Sequence, residues 1–343
     1  MPSSKLRVVI VDDSMFMRAA IKKILEDDGG FEVVGTARDG KDGVTKVVQL
    51  EPDVVTMDFN MPELNGAQAV TEIMNARPTP IIMFSAHTQK GARETFEALS
   101  AGAVDFCAKP AGEVSADLSS IADDLVSKLR AAAGAKPRAQ KPLIAKPETS
   151  SFRPTWPPGG PKVIIIGIST GGPAALARVI PAMPKLTRSP IIIVQHMPAQ
   201  FTKALAERLN GLSALKVREA RDGDIPRPGQ VLIAPGDQHL EMAPGGTLRL
   251  RGGPPVNGCR PSADVTMLSA AKVLGPSAVG VIMTGMGRDG AEGVKAIKKA
   301  RGMIYAQDEA TSVIYGMPKA AVDTGVVDAV VALDEIPKRL MRV

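Results

Sequence analysis

The 343-residue sequence predicts an α/β protein made of two doubly wound, mainly parallel sheets with a tether between them. Three observations carry this. Short β-branched runs alternate with amphipathic helical stretches through most of the chain. The rhythm stops once, in the Pro- and Lys-rich residues 131–160. The formal charge changes sign along the chain: net −6 over residues 1–130, +4 over 131–160 and +8 over 161–343. With 44% hydrophobic and 23% charged residues there is room for two packed cores, which excludes global disorder and fibrous repeats. The whole-chain charge of +6 invites a nucleic-acid reading, but its uneven distribution points to separate units with different partners.

In order, strands are expected at Leu6–Val11, Phe31–Ala37, Asp53–Phe59, Pro80–Ala86 and Val104–Cys107. Helical patterns fill the gaps at Met15–Leu25, Lys41–Leu50, Gly66–Ala76, Lys90–Ala101 and Ala116–Arg130. Five βα units of this length give a parallel sheet covered on both faces, with function at the carboxyl ends of its strands. The repeated Lys-Pro steps from Lys136 to Pro147 remove amide donors and disfavour helix, so an extended, solvated tether is expected, with Trp156 packing on a domain surface. The alternation resumes with strands at Val163–Ile168, Pro190–Met197, Val279–Thr284, Met303–Ala306 and Val327–Leu333. Between them, residues 216–251 carry Gly/Pro turns and short strands such as Val231–Ala234 and Thr247–Arg251, read as an antiparallel insertion.

Two cysteines, Cys107 and Cys259, are too few for a disulfide framework and lack metal-ligand spacing, so a reducing cytoplasm is expected. The N-terminus shows no signal peptide and no apolar run approaches the roughly 20 residues of a membrane span. A soluble protein that does not insert into membranes follows.

In the acidic unit, Asp12 and Asp13 end the first strand, Asp58 ends the third, Ser85 closes the fourth, and Lys109-Pro110 follows the fifth. Three carboxylates at one sheet edge suit Mg²⁺, a hard cation that keeps waters and bridges to phosphate. Asp58 then reads as an acyl-phosphate acceptor whose charge the metal and Lys109 offset. The bland alternative is that each Asp caps a helix, as Asp13 and Ser14 suit, but the coincidence of five strand-end groups favours chemistry. The strings Val11-Asp12-Asp13-Ser14, Met57-Asp58-Phe59-Asn60-Met61-Pro62, Phe84-Ser85-Ala86 and Lys109-Pro110 make residues 5–128 resemble the response-regulator receiver family. The resemblance implies phosphorylation of Asp58 by a histidine kinase, Mg²⁺ held by Asp13, Asp58, the Asn60 carbonyl and, through water, Asp12, and a switch through Ser85 and Phe106. His87 is expected at the surface.

In the basic unit, a strand runs into Gly167-Ile168-Ser169-Thr170-Gly171-Gly172-Pro173 and then a helix, a nucleophile-elbow pattern that lifts a serine hydroxyl above the sheet. A dinucleotide loop is the rival reading, weakened because the next strand ends in Gln195-His196-Met197 without a ribose-binding acid. The chain has three histidines, and only His196 ends a strand neighbouring that of Ser169; His239, in the insertion, is expected to be structural. Asp289, in the loop Gly285-Met286-Gly287-Arg288-Asp289-Gly290, would orient the imidazole, with amides around Met286 aiding an oxyanion. The order Ser, His, Asp disfavours the α/β-hydrolase family.

With Arg260-Pro261-Ser262-Ala263-Asp264-Val265 and the run Gln307 to Pro318, residues 162–341 resemble the chemotaxis protein-glutamate methylesterase (CheB) family. The resemblance implies a receiver domain over 1–130, a linker over 131–160 and a methylesterase domain over 161–343. It implies hydrolysis of glutamate methyl esters on the cytoplasmic helices of chemoreceptors, methyl-accepting chemotaxis proteins, with deamidation of glutamines there. Ser169, His196 and Asp289 would be the catalytic residues, with Thr170 and Met286 in the oxyanion loop and no cofactor for the esterase. A chemotaxis histidine kinase would be the second partner, and the receiver would inhibit until Asp58 is phosphorylated. A DNA-binding output is the competing class. Residues 161–343 show no helix-turn-helix pattern and few aromatics for base stacking, so no nucleic-acid partner is expected.

Overall fold

A computed structural model describes residues 5–86, 88–109, 118–135, 162–185 and 187–343. His87, Pro110, Trp156 and the Lys-Pro steps lie outside the described residues. The chain divides into two compact units, Met1–Pro142 and Leu143–Val343.

The first unit runs β1 (Leu6–Val11), α1 (Met15–Asp28), β2 (Phe31–Ala37), α2 (Gly40–Leu50), β3 (Val54–Asp58), α3 (Gly66–Ala76), β4 (Ile81–Ala86), α4 (Gln89–Ala101), β5 (Asp105–Lys109) and α5 (Leu118–Ala133). Its sheet, in order β2-β1-β3-β4-β5, is parallel throughout. Such strands are covered on both faces, which is why Val8, Val9, Ile10 and the whole of β3 are buried. Helix starts are set by side-chain caps: Ser14 on α1, Asp39 on α2, an Asn65/Gln68 capping box on α3 and Thr88 on α4. Gly66 has no room for a side chain, since a Cβ there would lie 2.3 Å from the Asp58 carbonyl oxygen. That close approach seats α3 against the carboxyl end of β3. Helix α5 continues through Ala131–Ala133, residues expected to open the linker, because alanines extend a helix at no side-chain cost.

The second unit runs β6 (Val163–Ile168), α6 (Gly172–Val179), β7 (Ile191–Gln195), α7 (Ala199–Leu212), β8 (Lys216–Glu219), β9 (Gln230–Ile233), β10 (His239–Met242), β11 (Leu248–Arg251), α8 (Ala263–Leu274), β12 (Ala278–Ile282), α9 (Ala291–Lys299), β13 (Met303–Gln307), α10 (Met317–Val322), β14 (Ala329–Val331) and α11 (Ile336–Leu340). The main sheet has the order β14-β13-β12-β6-β7-β9-β8, and every pair is parallel. A core that includes Ile165, Leu232, Leu240, Met267, Ile282 and Ile304 joins this sheet to α8 and the β10-β11 hairpin.

The expected antiparallel insertion is present as the β10-β11 hairpin, while β8 and β9, from the same stretch, extend the main sheet in parallel. The crossover between them, residues 220–229, contains no helix and is held by a two-pronged Arg218–Asp224 ion pair at 2.6 and 2.8 Å. No helix among the described residues is long and apolar enough to cross a membrane.

Candidate functional site

In the first unit the chain leaves β1 for β2 on one side and later returns to β3 on the other, opening a crevice at the carboxyl ends of β1 and β3. Asp12, Asp13 and Asp58 sit there, each offering an oxygen within 4.8 Å of the others. Lys109 Nζ reaches Asp12 Oδ2 at 2.9 Å and Asp58 Oδ1 at 3.0 Å. Burial raises the Asp58 carboxyl to about 6, against the pull of Lys109. Three hard-oxygen donors, two of them buried, fit a divalent cation, whose charge would offset the crowding of the carboxylates. Ser85 is buried with its hydroxyl on the Gly91 carbonyl at 3.0 Å, and Asn60 is exposed with its amide on Glu94 at 3.2 Å. Phe106 is buried on β5, where Lys128 Nζ bonds its carbonyl oxygen at 2.7 Å and lies 5.5 Å from its ring centroid.

In the second unit the same topology recurs around β6, which lies between β7 and β12. The ladders run on past the strand ends: the His196 amide donates to the Ile168 carbonyl at 3.1 Å, and the Ser169 amide to Thr284 O at 3.0 Å. Ser169 therefore stands between the ends of β7 and β12. Its elbow is locked from below. Gln195 Nε2 donates to Ser169 O at 3.0 Å, and Thr284 Oγ1 to Thr170 O at 2.9 Å. Gly171 takes φ 77°, and a Cβ on Gly172 would lie 2.0 Å from Gln195 Oε1. A Cβ on Gly285 would lie 2.7 Å from Ser169 Cβ, so the loop carrying the exposed Met286 lies directly against the serine.

His196 Nε2 meets Asp289 Oδ2 at 2.7 Å. Asp289 is 2% exposed and sits at the N-terminus of α8. It accepts hydrogen bonds from the Ala263 amide at 2.6 Å, the Asp264 amide at 3.2 Å, Ser262 Oγ at 2.6 Å and Asn257 Nδ2 at 3.1 Å. Burial alone would raise its carboxyl, but the bonds from His196, Ser262 and Ala263 hold it at about 2. For His196 burial works downward, and the bonds to Asp289 and Cys259 override it and lift the ring to about 9. The second ring nitrogen, Nδ1, faces Cys259 Sγ at 3.4 Å. The structure brings His196 and Asp289 into direct contact and sets Ser169 at the end of the strand beside that of His196, with Gln195, Thr284, Asn257, Cys259 and Ser262 bonded around these three residues. His239 lies apart from it, buried, with Nε2 on the Pro254 carbonyl at 3.0 Å.

Fold and site together define a response-regulator receiver domain followed by a second α/β unit with a serine, histidine and aspartate at one sheet edge. The response-regulator receiver model matches residues 8–117 and the CheB methylesterase model residues 164–340. The chain belongs to the CheB methylesterase family. It is 45% identical over 349 residues to the protein-glutamate methylesterase/protein-glutamine glutaminase of Symbiobacterium thermophilum, covering 98% of this chain and 96% of that one. A protein of the same description from Thermotoga maritima is 43% identical over 339 residues, covering 98% of each chain. The crystal structure of the T. maritima CheB methylesterase catalytic domain, 42% identical, superposes with a TM-score of 0.52 over 53% of this chain and 98% of that one.

Proposed function

We propose that the protein hydrolyses glutamate methyl esters on the cytoplasmic helices of chemoreceptors and deamidates glutamines there, using Ser169, His196 and Asp289. The observation that carries this reading is the His196–Asp289 pair, 2.7 Å apart beside a serine elbow. Asp289 is an ionised acceptor, so Nε2 carries a proton and Nδ1 is the nitrogen left to act as base. Ser169 Oγ attacks the ester carbon while its proton passes to Nδ1, and the amides of Thr170 and Met286 stabilise the oxyanion. Collapse expels methoxide, which takes that proton and leaves as methanol. Water, deprotonated at the same nitrogen, then cleaves the acyl-serine to glutamate. For a glutamine the leaving group is ammonia. A catalytic unit of +8 suits acidic receptor helices in the cytoplasm.

The receiver is the regulator in this reading. A chemotaxis histidine kinase phosphorylates Asp58, and Mg²⁺ held by Asp12, Asp13, Asp58 and the Asn60 carbonyl supplies charge neutralisation when bound. Lys109 steadies the phosphoryl group, and Ser85 and Phe106 relay its presence. The switch ends with α5, residues 161–343 catalyse, and the Pro/Lys-rich stretch tethers them.

Methanol release from methylated receptor membranes tests both halves. The wild type should release methanol faster with a small phosphodonor, Asp58→Ala should lose that stimulation, and Ser169→Ala should lose at least 10³-fold of the rate. Equal release by wild type and Ser169→Ala overturns the mechanism.

A further inference from the structure

The turn from Val256 to Cys259 is a two-residue hairpin loop. Its ends pair through backbone bonds of 3.0 and 2.9 Å, and Asn257 and Gly258 take φ of 52° and 74°. That turn places the Asn257 and Cys259 side chains against the base–acid pair. Asn257 Nδ2 donates to Asp289 Oδ1 at 3.1 Å and to Asp264 Oδ2 at 2.8 Å, and Cys259 Sγ lies 3.4 Å from His196 Nδ1. Nε2 is committed to Asp289, so Nδ1 is the nitrogen that Ser169 needs, and the thiol already occupies it.

We propose that Cys259 is a positioning residue for the general base: its sulfur holds Nδ1 of His196 in a resting contact that gives way to Ser169 before the ester is attacked. This rests on the proposed role of His196 as base. The contact works against catalysis whichever way the proton lies. With the ring charged, sulfur accepts the Nδ1 proton and stabilises the form that cannot act as base. With the ring neutral, the thiol donates to the lone pair that should receive the serine proton. Among the described residues, the titratable groups bonded to the ring are Asp289, from the loop before α9, and Cys259. Asp264 of α8 adjoins Asp289 through its own amide and through Asn257.

Removing the sulfur lowers the stability of the charged ring and frees its lone pair. The expected result for Cys259→Ala in the full chain is a rise of about fivefold in kcat/KM for a γ-methyl-glutamyl peptide near pH 7, the equivalent of about 1 kcal/mol. The acid limb of the pH–rate profile should move to lower pH. Cys259→Ser, which keeps a donor and acceptor at that position, should hold the limb near its wild-type pH. A purely packing role for Cys259 lowers kcat in the alanine variant and leaves the limb in place, and that outcome overturns the inference. Ser169→Ala and His196→Gln, assayed on the same peptide, separate the two failures. If they retain wild-type activity, the catalytic assignment is wrong; if they lose it while Cys259→Ala leaves the limb unmoved, only the role of Cys259 is wrong.

Discussion

At the scale of single residues, the site is a competition for the protons of one imidazole. His196 at about 9 and Asp289 at about 2 stabilise each other's charged forms, so near pH 7 the neutral ring that the proposed mechanism uses is the minor form. The rate should therefore climb with pH toward about 9. Replacing Asp289 by Asn removes the largest upward influence on the ring, so the acid limb should fall toward the ordinary histidine range while kcat drops by about 10³–10⁴-fold. The same pair bears on stability. A histidine raised to about 9 contributes stability fully below about 6.5 and loses it as pH rises through 9. An aspartate lowered to about 2 contributes above about 4 and loses its share as pH falls toward 2. Denaturant unfolding at pH 6 and pH 9.5 should show that alkaline loss in the wild type and not in Asp289→Asn. Ser169, His196 and Asp289 were legible because each follows a β-branched strand. Cys259 was not, because its partner lies 63 residues away and spacing tests only for disulfide or metal pairing.

At the scale of elements, the Asp289 carboxylate depends on how α8 begins. Ser262, fully buried, accepts from the Val265 amide at 3.4 Å as the helix cap and donates to Asp289 at 2.6 Å. The carboxylate thus sits at the positive end of the helix and satisfies amides that the first turn leaves over. Ser262→Ala loses a cap and a charge-assisted bond together, which should cost about 2–3 kcal/mol in urea denaturation, with a reduced kcat. Ser262→Thr should recover most of both. A cap is readable in the string Pro261-Ser262-Ala263-Asp264, but its second duty to Asp289, 27 residues on, is not. Apart from β8, the strands of the two main sheets were legible from their β-branched runs, several to the residue, as at Leu6–Val11 and Val163–Ile168. The parallel pairing of β8 with β9 was hidden. Parallel neighbours are ordinarily joined by a helix, and here an Arg218–Asp224 clasp shapes a bare loop instead.

At the scale of the whole molecule, the charge division bears directly on regulation. The first 130 residues carry −6 and residues 161–343 carry +8, opposite signs joined by a stretch of +4. The family resemblance implies a receiver that inhibits until Asp58 is phosphorylated; we propose that charge attraction supplies that restraint, and attraction of this kind weakens as salt shortens the Debye length from about 14 Å at 0.05 M to about 4 Å at 0.5 M. Substrate steering toward acidic receptors weakens with salt as well, so the two effects must be separated. A small uncharged methyl ester removes steering from the assay. The second unit has a core built wholly from its own residues, and residues 155–343 contain all of it. On that ester, residues 155–343 alone should turn over faster than the unphosphorylated full chain at low salt. Raising salt should speed the full chain toward the truncated rate and leave the truncated protein nearly unchanged. If both proteins respond to salt alike, charge attraction between the units is not the restraint.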